Sequence, residues 1–132
     1  MKTKRIWANL AVQDVERTRT FYAQLGFRPN GHNNAADLAS FLFGDDNFII
    51  HFFQKDVLLA NMQGTFALAK EGNEVIFSLA ADSDEEVDDW AEVARKAGAD
   101  IFQEPGRYGG YYFCAFADPD GHKFNILSLQ GM

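Results

Sequence analysis

His51 stands inside the apolar run Phe48-Ile49-Ile50-His51-Phe52-Phe53. An imidazole is the side chain whose ordinary pKa lets it take or give a proton near neutral pH. At this position it could act as a general acid or base, orient a ligand by hydrogen bonding, or be a satisfied interior histidine. A second chemical set is Arg107-Tyr108-Gly109-Gly110-Tyr111-Tyr112. Here a guanidinium, phenols and two flexible joints suit a lid or anion clamp, or else a Gly-rich surface loop whose tyrosines shield a core. Asp84, Glu85, Glu86, Asp88 and Asp89 lack the alternating ligand spacing and central glycine of a calcium loop. They read instead as the solvated start of a helix. The single cysteine, Cys114, lies in an apolar strand, which excludes a disulfide framework and a thiolate metal cluster. His32 and His122 fall in or beside turns, and neither a nucleophile motif nor a phosphate-cradling glycine loop occurs.

The elements that must position these groups follow from periodicity. Arg5 to Val12 alternates as a strand, with Ile6, Ala8, Leu10 and Val12 turned towards a helix. That helix starts at an Asp14 cap, buries Val15, Thr18, Phe21, Tyr22 and Leu25, and ends at Gly26. Strands are expected at Phe27 to Gly31, Asp37 to Phe43 and Asn47 to Gln54. Lys55 to Asn73 reads as a connector that includes a short helix over Asp56 to Met62. A strand over Glu74 to Ala80, with Val75, Phe77 and Leu79 on one side, then leads to a helix from about Asp84 to Ala97. Its acidic first turns and its Arg95 and Lys96 suit the helix dipole at both ends. Asp100 to Gln103 is a short strand, Glu104 to Gly110 a loop, and Phe113 to Leu129 a hairpin about Asp118-Pro119-Asp120-Gly121.

Both halves therefore read β, α, β, β, β, an internal repeat in which Asn9-Leu10 aligns with Ser78-Leu79 and His51 with Asn125. The expected organisation is a single domain over 1–132: module one 1–54, connector 55–73, module two 74–132. One helix covers only one face of a sheet. The expected class is therefore α+β, two tandem βαβββ modules forming a curved mixed sheet around a concave cavity. Alternation turns Trp7, Asn9, Ile49, His51, Phe53, Ile76, Ser78 and Asn125 towards that concavity. Arg107 and Tyr112 are expected at its edge.

Composition bounds what such a cavity can hold. The chain has 132 residues, 47% of them hydrophobic and 14% aromatic, enough for a real core. Its 12 basic and 19 acidic residues give a net charge of −7, which disfavours nucleic acid and anionic membrane surfaces and favours cationic or neutral ligands. The short basic start at Met1 to Arg5 has no signal-like apolar segment, so a cytoplasmic location is expected.

The stretches NLAVQDVERTRTFYAQLGF, EPGRYGGYYF and FADPDGHKFNIL, taken with the duplication, resemble the vicinal oxygen chelate superfamily of glyoxalase I, the bleomycin-resistance proteins and the extradiol dioxygenases. The resemblance spans nearly the whole chain. It implies four metal-facing positions in the family's enzymes, and on this chain they fall on Trp7, His51, Ile76 and Asn125. Only His51 is a good ligand: Trp has no acceptor, Ile has no polar atom, and Asn offers a weak neutral oxygen. Glu74 shares the face, but no shift of alignment assembles a His and Glu cluster. The expectation is therefore no metal and no cofactor. The resemblance also implies a homodimer. Two functions follow as expectations: metal-independent binding of a small aromatic or cationic molecule, or a glyoxalase-like lyase or isomerase, related to lactoylglutathione lyase, with His51 as acid or base. A subunit that acts only by pairing with a partner is a third.

Overall fold

In the computed structural model, which describes residues 1–132, the first module opens with β1 (Trp7–Val12), followed by α1 (Val15–Gln24). Asp14 caps α1 by accepting from Arg17 N at 3.1 Å, and Gly26 follows its end with φ 91°. The helix buries the five expected side chains, Val15, Thr18, Phe21, Tyr22 and Leu25. Tyr22 lies against Phe52 with ring centroids 4.4 Å apart and planes 24° from parallel, an offset stack in the middle of the core. The sheet under it contains β2 (Arg28–Pro29), β3 (Leu38–Phe43) and β4 (Phe48–Gln54) in the order β1-β4-β3-β2. β1 runs parallel to β4, and β3 is antiparallel to both β4 and β2. Ile6 lies before β1 and is exposed, so the helix-facing set begins at Ala8.

The second module repeats the plan with β5 (Ile76–Ala81), α3 (Asp84–Lys96), β6 (Asp100–Tyr108), β7 (Tyr111–Ala117) and β8 (Lys123–Ser128), in the order β5-β8-β7-β6. Val75 precedes β5 and is exposed; the helix side of this strand is Phe77, Leu79 and Ala81. Ser83 caps α3 by accepting from Glu86 N, and Val87, Ala91 and Ala94 form its buried stripe. The class is α+β, with two four-stranded mixed sheets and three helices.

The third helix, α2 (Lys55–Asn61), follows β4 and packs on β1 and β4. The chain separates into two compact units, Met1–Phe66 and Ala67–Met132. The expected connector is thus divided between them, α2 with the first and the segment through Ala69, Lys70 and Asn73 with the second. That segment crosses the Asp118 to Gly121 turn, where Asn73 Nδ2 donates to Gly121 O at 2.9 Å.

The expected loop at Glu104 to Gly110 requires correction, because β6 continues through it to Tyr108. Pro105 lacks an N–H and Gly106 lacks a side chain, which makes the stretch read as a breaker. The sheet takes Pro105 into a bulge and keeps Gly106 paired: Gln103 pairs with Ala115 and Gly106 with Phe113, so Glu104 and Pro105 oppose Cys114 alone. Tyr108 folds back over Gly106 and its hydroxyl donates to Glu104 O at 2.9 Å. Gly109 and Gly110, with φ 57° and 88°, make the two-residue turn into β7.

The turn before β8 behaves as its residues dictate. Asp118 Oδ1 accepts from Asp120 N at 3.0 Å and from His122 N at 2.8 Å, while Gly121 takes φ 95°. A Cβ on Gly121 would meet Lys70 N at 2.9 Å, whereas one on Gly44, in the corresponding turn of the first module, would meet nothing within 4 Å. Both positions have positive φ. Gly44→Ala is expected to cost about 1 kcal/mol and Gly121→Ala about 2–3 kcal/mol, the difference arising from the backbone contact. Denaturant unfolding of the two variants checks this.

Candidate functional site

The face of each sheet turned away from its helix is organised in rows across the strands. In the first module Asn9 pairs with His51 and His51 with Ser40, so the three lie in one polar row. Asn30 extends it, its Nδ2 donating to Ser40 Oγ at 3.1 Å. Largely apolar rows border it on both sides: Trp7, Ile49 and Leu42, ending at Arg28, on one, and Ala11, Phe53 and Leu38 on the other. In the second module Ser78 pairs with Asn125, Asn125 with Ala115 and Ala115 with Gln103. The neighbouring rows there are Ile76, Lys123 and Ala117, and Ala80, Leu127 and Phe113. The two modules place His51 and Asn125 at equivalent points of their sheets.

His51 is half-buried, with its ring edge-to-face with Trp7 at 6.3 Å and with Phe53 at 5.9 Å. Its Nδ1 is buried and has no hydrogen-bond partner. Desolvation holds its pKa below the ordinary imidazole value, favouring the neutral ring. Asn125 Oδ1 is likewise buried without a partner. A buried polar atom left unsatisfied in each sheet, at the same point of the repeat, is the most telling feature of these faces. Trp7 is 49% and Ile76 46% exposed, so the apolar rows are open to solvent at the strand starts.

Arg107 and Tyr112 are not in these rows. They are paired across β6 and β7 on the side that carries α3. Arg107 forms an ion pair with Asp84 at 3.2 Å and lies over the Tyr112 ring, while the Tyr112 hydroxyl donates to Asp88 at 2.6 Å. That carboxylate contact pushes the Tyr112 phenol up to about 12. Both side chains thus tie the β6–β7 hairpin to the helix. Cys114 is on the same side, its thiol pushed up to about 11 by burial, which makes it a poor nucleophile.

Ser40, Asn30 and Gln103 are the row members that sequence reasoning missed. A serine midway along the apolar β3, at the parity of Leu38 and Leu42, was the available signal. Asn30 lies just after a two-residue strand and Gln103 beside a bulge, where parity has little reach.

A glyoxalase-type divalent ion does not fit this chain. The four implied positions hold an indole, one imidazole, an aliphatic chain and an amide, and no three His, Cys, Asp or Glu side chains converge on a point that could hold a metal. No helix is long and apolar enough to cross a membrane.

Two βαβββ modules with this duplicated sheet plan define a glyoxalase-like protein. The model for the Glyoxalase/Bleomycin resistance protein/Dioxygenase superfamily matches residues 5–126, and the chain belongs to that family. Among solved structures it is similar to a hypothetical protein from S. aureus, with 32% identity, a TM-score of 0.85, and 97% of this chain and 95% of that one covered. A glyoxalase-related enzyme from Fulvimarina pelagi shares 18% identity at TM-score 0.82, over 97% of this chain and 90% of that one. The fosfomycin resistance protein FosX from Listeria monocytogenes shares 20% identity at TM-score 0.69, over 97% and 92% respectively. These last two likenesses establish the fold alone. No curated protein matches the chain.

Two outcomes follow. Protein isolated without an affinity tag or chelator is expected to carry no stoichiometric divalent metal, as read by elemental mass spectrometry. The His51 ring also links stability to pH. The unfolded imidazole takes its proton at about 6.5 and the folded one only at lower pH. In that window the unfolded chain binds more protons, so stability rises with pH; the penalty is complete below the folded value and absent above about 6.5. Thermal unfolding followed across this window is expected to show the slope in the wild-type chain and a smaller one in His51→Gln.

Proposed function

We propose that this chain binds small aromatic molecules on the open face of each of its sheets without a metal. Trp7, Asn9, His51 and Phe53 serve on the first sheet, and Ile76 and Asn125 on the second. The observation that carries the reading is the pair of buried, unpartnered atoms, His51 Nδ1 and Asn125 Oδ1, each set in a polar row whose neighbouring rows are apolar apart from Arg28 on the first sheet and Lys123 on the second. Apolar surface with a few placed polar groups is the composition of a small-molecule site. The net charge of −7 invites a cationic ligand, but the His51 and Asn125 rows contain no carboxylate to meet it. Membership of a family whose description includes bleomycin resistance, and the fold shared with fosfomycin resistance proteins, agree with a protein that handles small compounds. Arg107 and Tyr112 leave the proposed binding set, since their partners are Asp84 and Asp88.

A second reading rests on the neutral His51 ring: an acid or base for a glyoxalase-like lyase or isomerase reaction. Cytoplasmic residence and a homodimer complete the proposal. For the dimer, the support is that β1 and β5 each lie at a sheet edge and edge strands favour pairing.

A screen of planar aromatic compounds is expected to raise the unfolding temperature of the wild-type chain, and the rise is expected to shrink in both Trp7→Ala and His51→Ala. Turnover of a hemithioacetal by the wild type that disappears in His51→Ala favours the lyase reading instead.

A further inference from the structure

We propose that the His51 row selects uncharged planar ligands that donate a hydrogen bond to the imidazole, and that protonation of His51 shifts this preference to anions. The inference rests on the aromatic-binding reading and adds the charge and hydrogen-bonding class of the ligand, together with its regulation.

Its basis is what surrounds the ring. Across the ladders His51 meets the amide of Asn9 and the hydroxyl of Ser40, both uncharged, and along its own strand it is flanked on this face by Ile49 and Phe53. The charged residues nearest on this face and on the elements packed here are Arg28, which pairs with Leu42 at the end of the neighbouring row and donates to Asn47 Oδ1, Arg5 and Asp37, which precede β1 and β3, and Lys55 and Asp56 on α2. Asp56 Oδ2 accepts from Gln54 Nε2 at 3.4 Å, and Gln54 shares the α1-side parity of Ile50 and Phe52. The row thus contains one ionisable group, with no carboxylate in it to stabilise an imidazolium. A neutral imidazole with its proton on Nε2 presents Nδ1 as a lone pair, and this buried atom has no partner in the protein. A ligand N–H or O–H satisfies it. A ligand carboxylate would set lone pair against lone pair, and a ligand cation would lose its hydration beside apolar rows with no counter-charge. Once protonated, Nδ1 becomes a charged donor, and the same geometry then accepts a carboxylate and rejects the donor.

Benzamide, benzamidinium and benzoate share one shape and differ in charge, so they separate these terms. The full-length chain, isotope-labelled and observed at the Trp7 indole and His51 ring, is titrated with each probe at about pH 8 and about pH 5, the range over which histidines switch. At the higher pH benzamide is expected to bind about tenfold more tightly than either ion; at the lower pH benzoate is expected to overtake it. His51→Gln retains an amide oxygen that does not titrate, and its order of preference is expected to be the same at both pH values. A wild-type preference that does not change with pH, a preference for benzoate at the higher pH, or an inversion that persists in His51→Gln overturns the proposal. If no probe perturbs either signal at either pH, the aromatic-binding reading itself falls and this inference with it.

Discussion

The stack of Tyr22 on Phe52 is the contact on which the first module depends. It joins the last turn of α1 to β4, and Phe41 and Phe43 close around the same phenol ring at 5.8 and 5.9 Å. Burial of this aromatic cluster holds one face of the sheet against the helix. Side chains alternate across a strand, so committing Ile50 and Phe52 to the helix commits Ile49, His51 and Phe53 to the opposite face. The second module reaches the same division with smaller groups: Val87, Ala91 and Ala94 of α3 let the helix approach the face formed by Cys114, Phe116, Phe124 and Ile126.

This division explains why the polar groups lie where they do. On the helix face a lone imidazole or amide would need a partner inside a packed core. On the open face it can await a ligand, or be solvated where it is reached by water. His51 and Asn125 occupy equivalent positions in the repeat, and each keeps a buried atom unsatisfied. The aromatic and hydroxyl groups of Arg107-Tyr108-Gly109-Gly110-Tyr111-Tyr112, which look equally chemical in one dimension, are spent differently. A bulge at Glu104 and Pro105 lets β6 run on, and the Arg107 and Tyr112 side chains then meet acidic residues of α3.

The family shares a fold more widely than it shares a chemistry, and fold alone does not assign an activity. In this chain the implied metal-facing positions hold few donors: Trp7 and Ile76 contribute aromatic and aliphatic surface, and Asn125 contributes a neutral amide.

The sequence by itself determined the duplicated β, α, β, β, β order, the caps at Asp14 and Gly26, the buried stripe of α1 and the turn at Asp118 to Gly121. Each is encoded within a few residues, by periodicity or by a residue with one favoured backbone conformation. It also brought Trp7, Asn9, His51 and Phe53 to one face, because parity within a strand survives small errors in strand ends. Tertiary structure alone decided that Ser40 and Asn30 complete the His51 row, that β6 runs on to Tyr108, and that Arg107 and Tyr112 belong to α3. Those outcomes depend on register between strands, on a bulge that absorbs two residues, and on partners 23 and 24 positions away in the chain. Local pattern contains no information about which distant carboxylate a guanidinium or phenol will meet, and it is this pairing that separates a structural tie from a binding group.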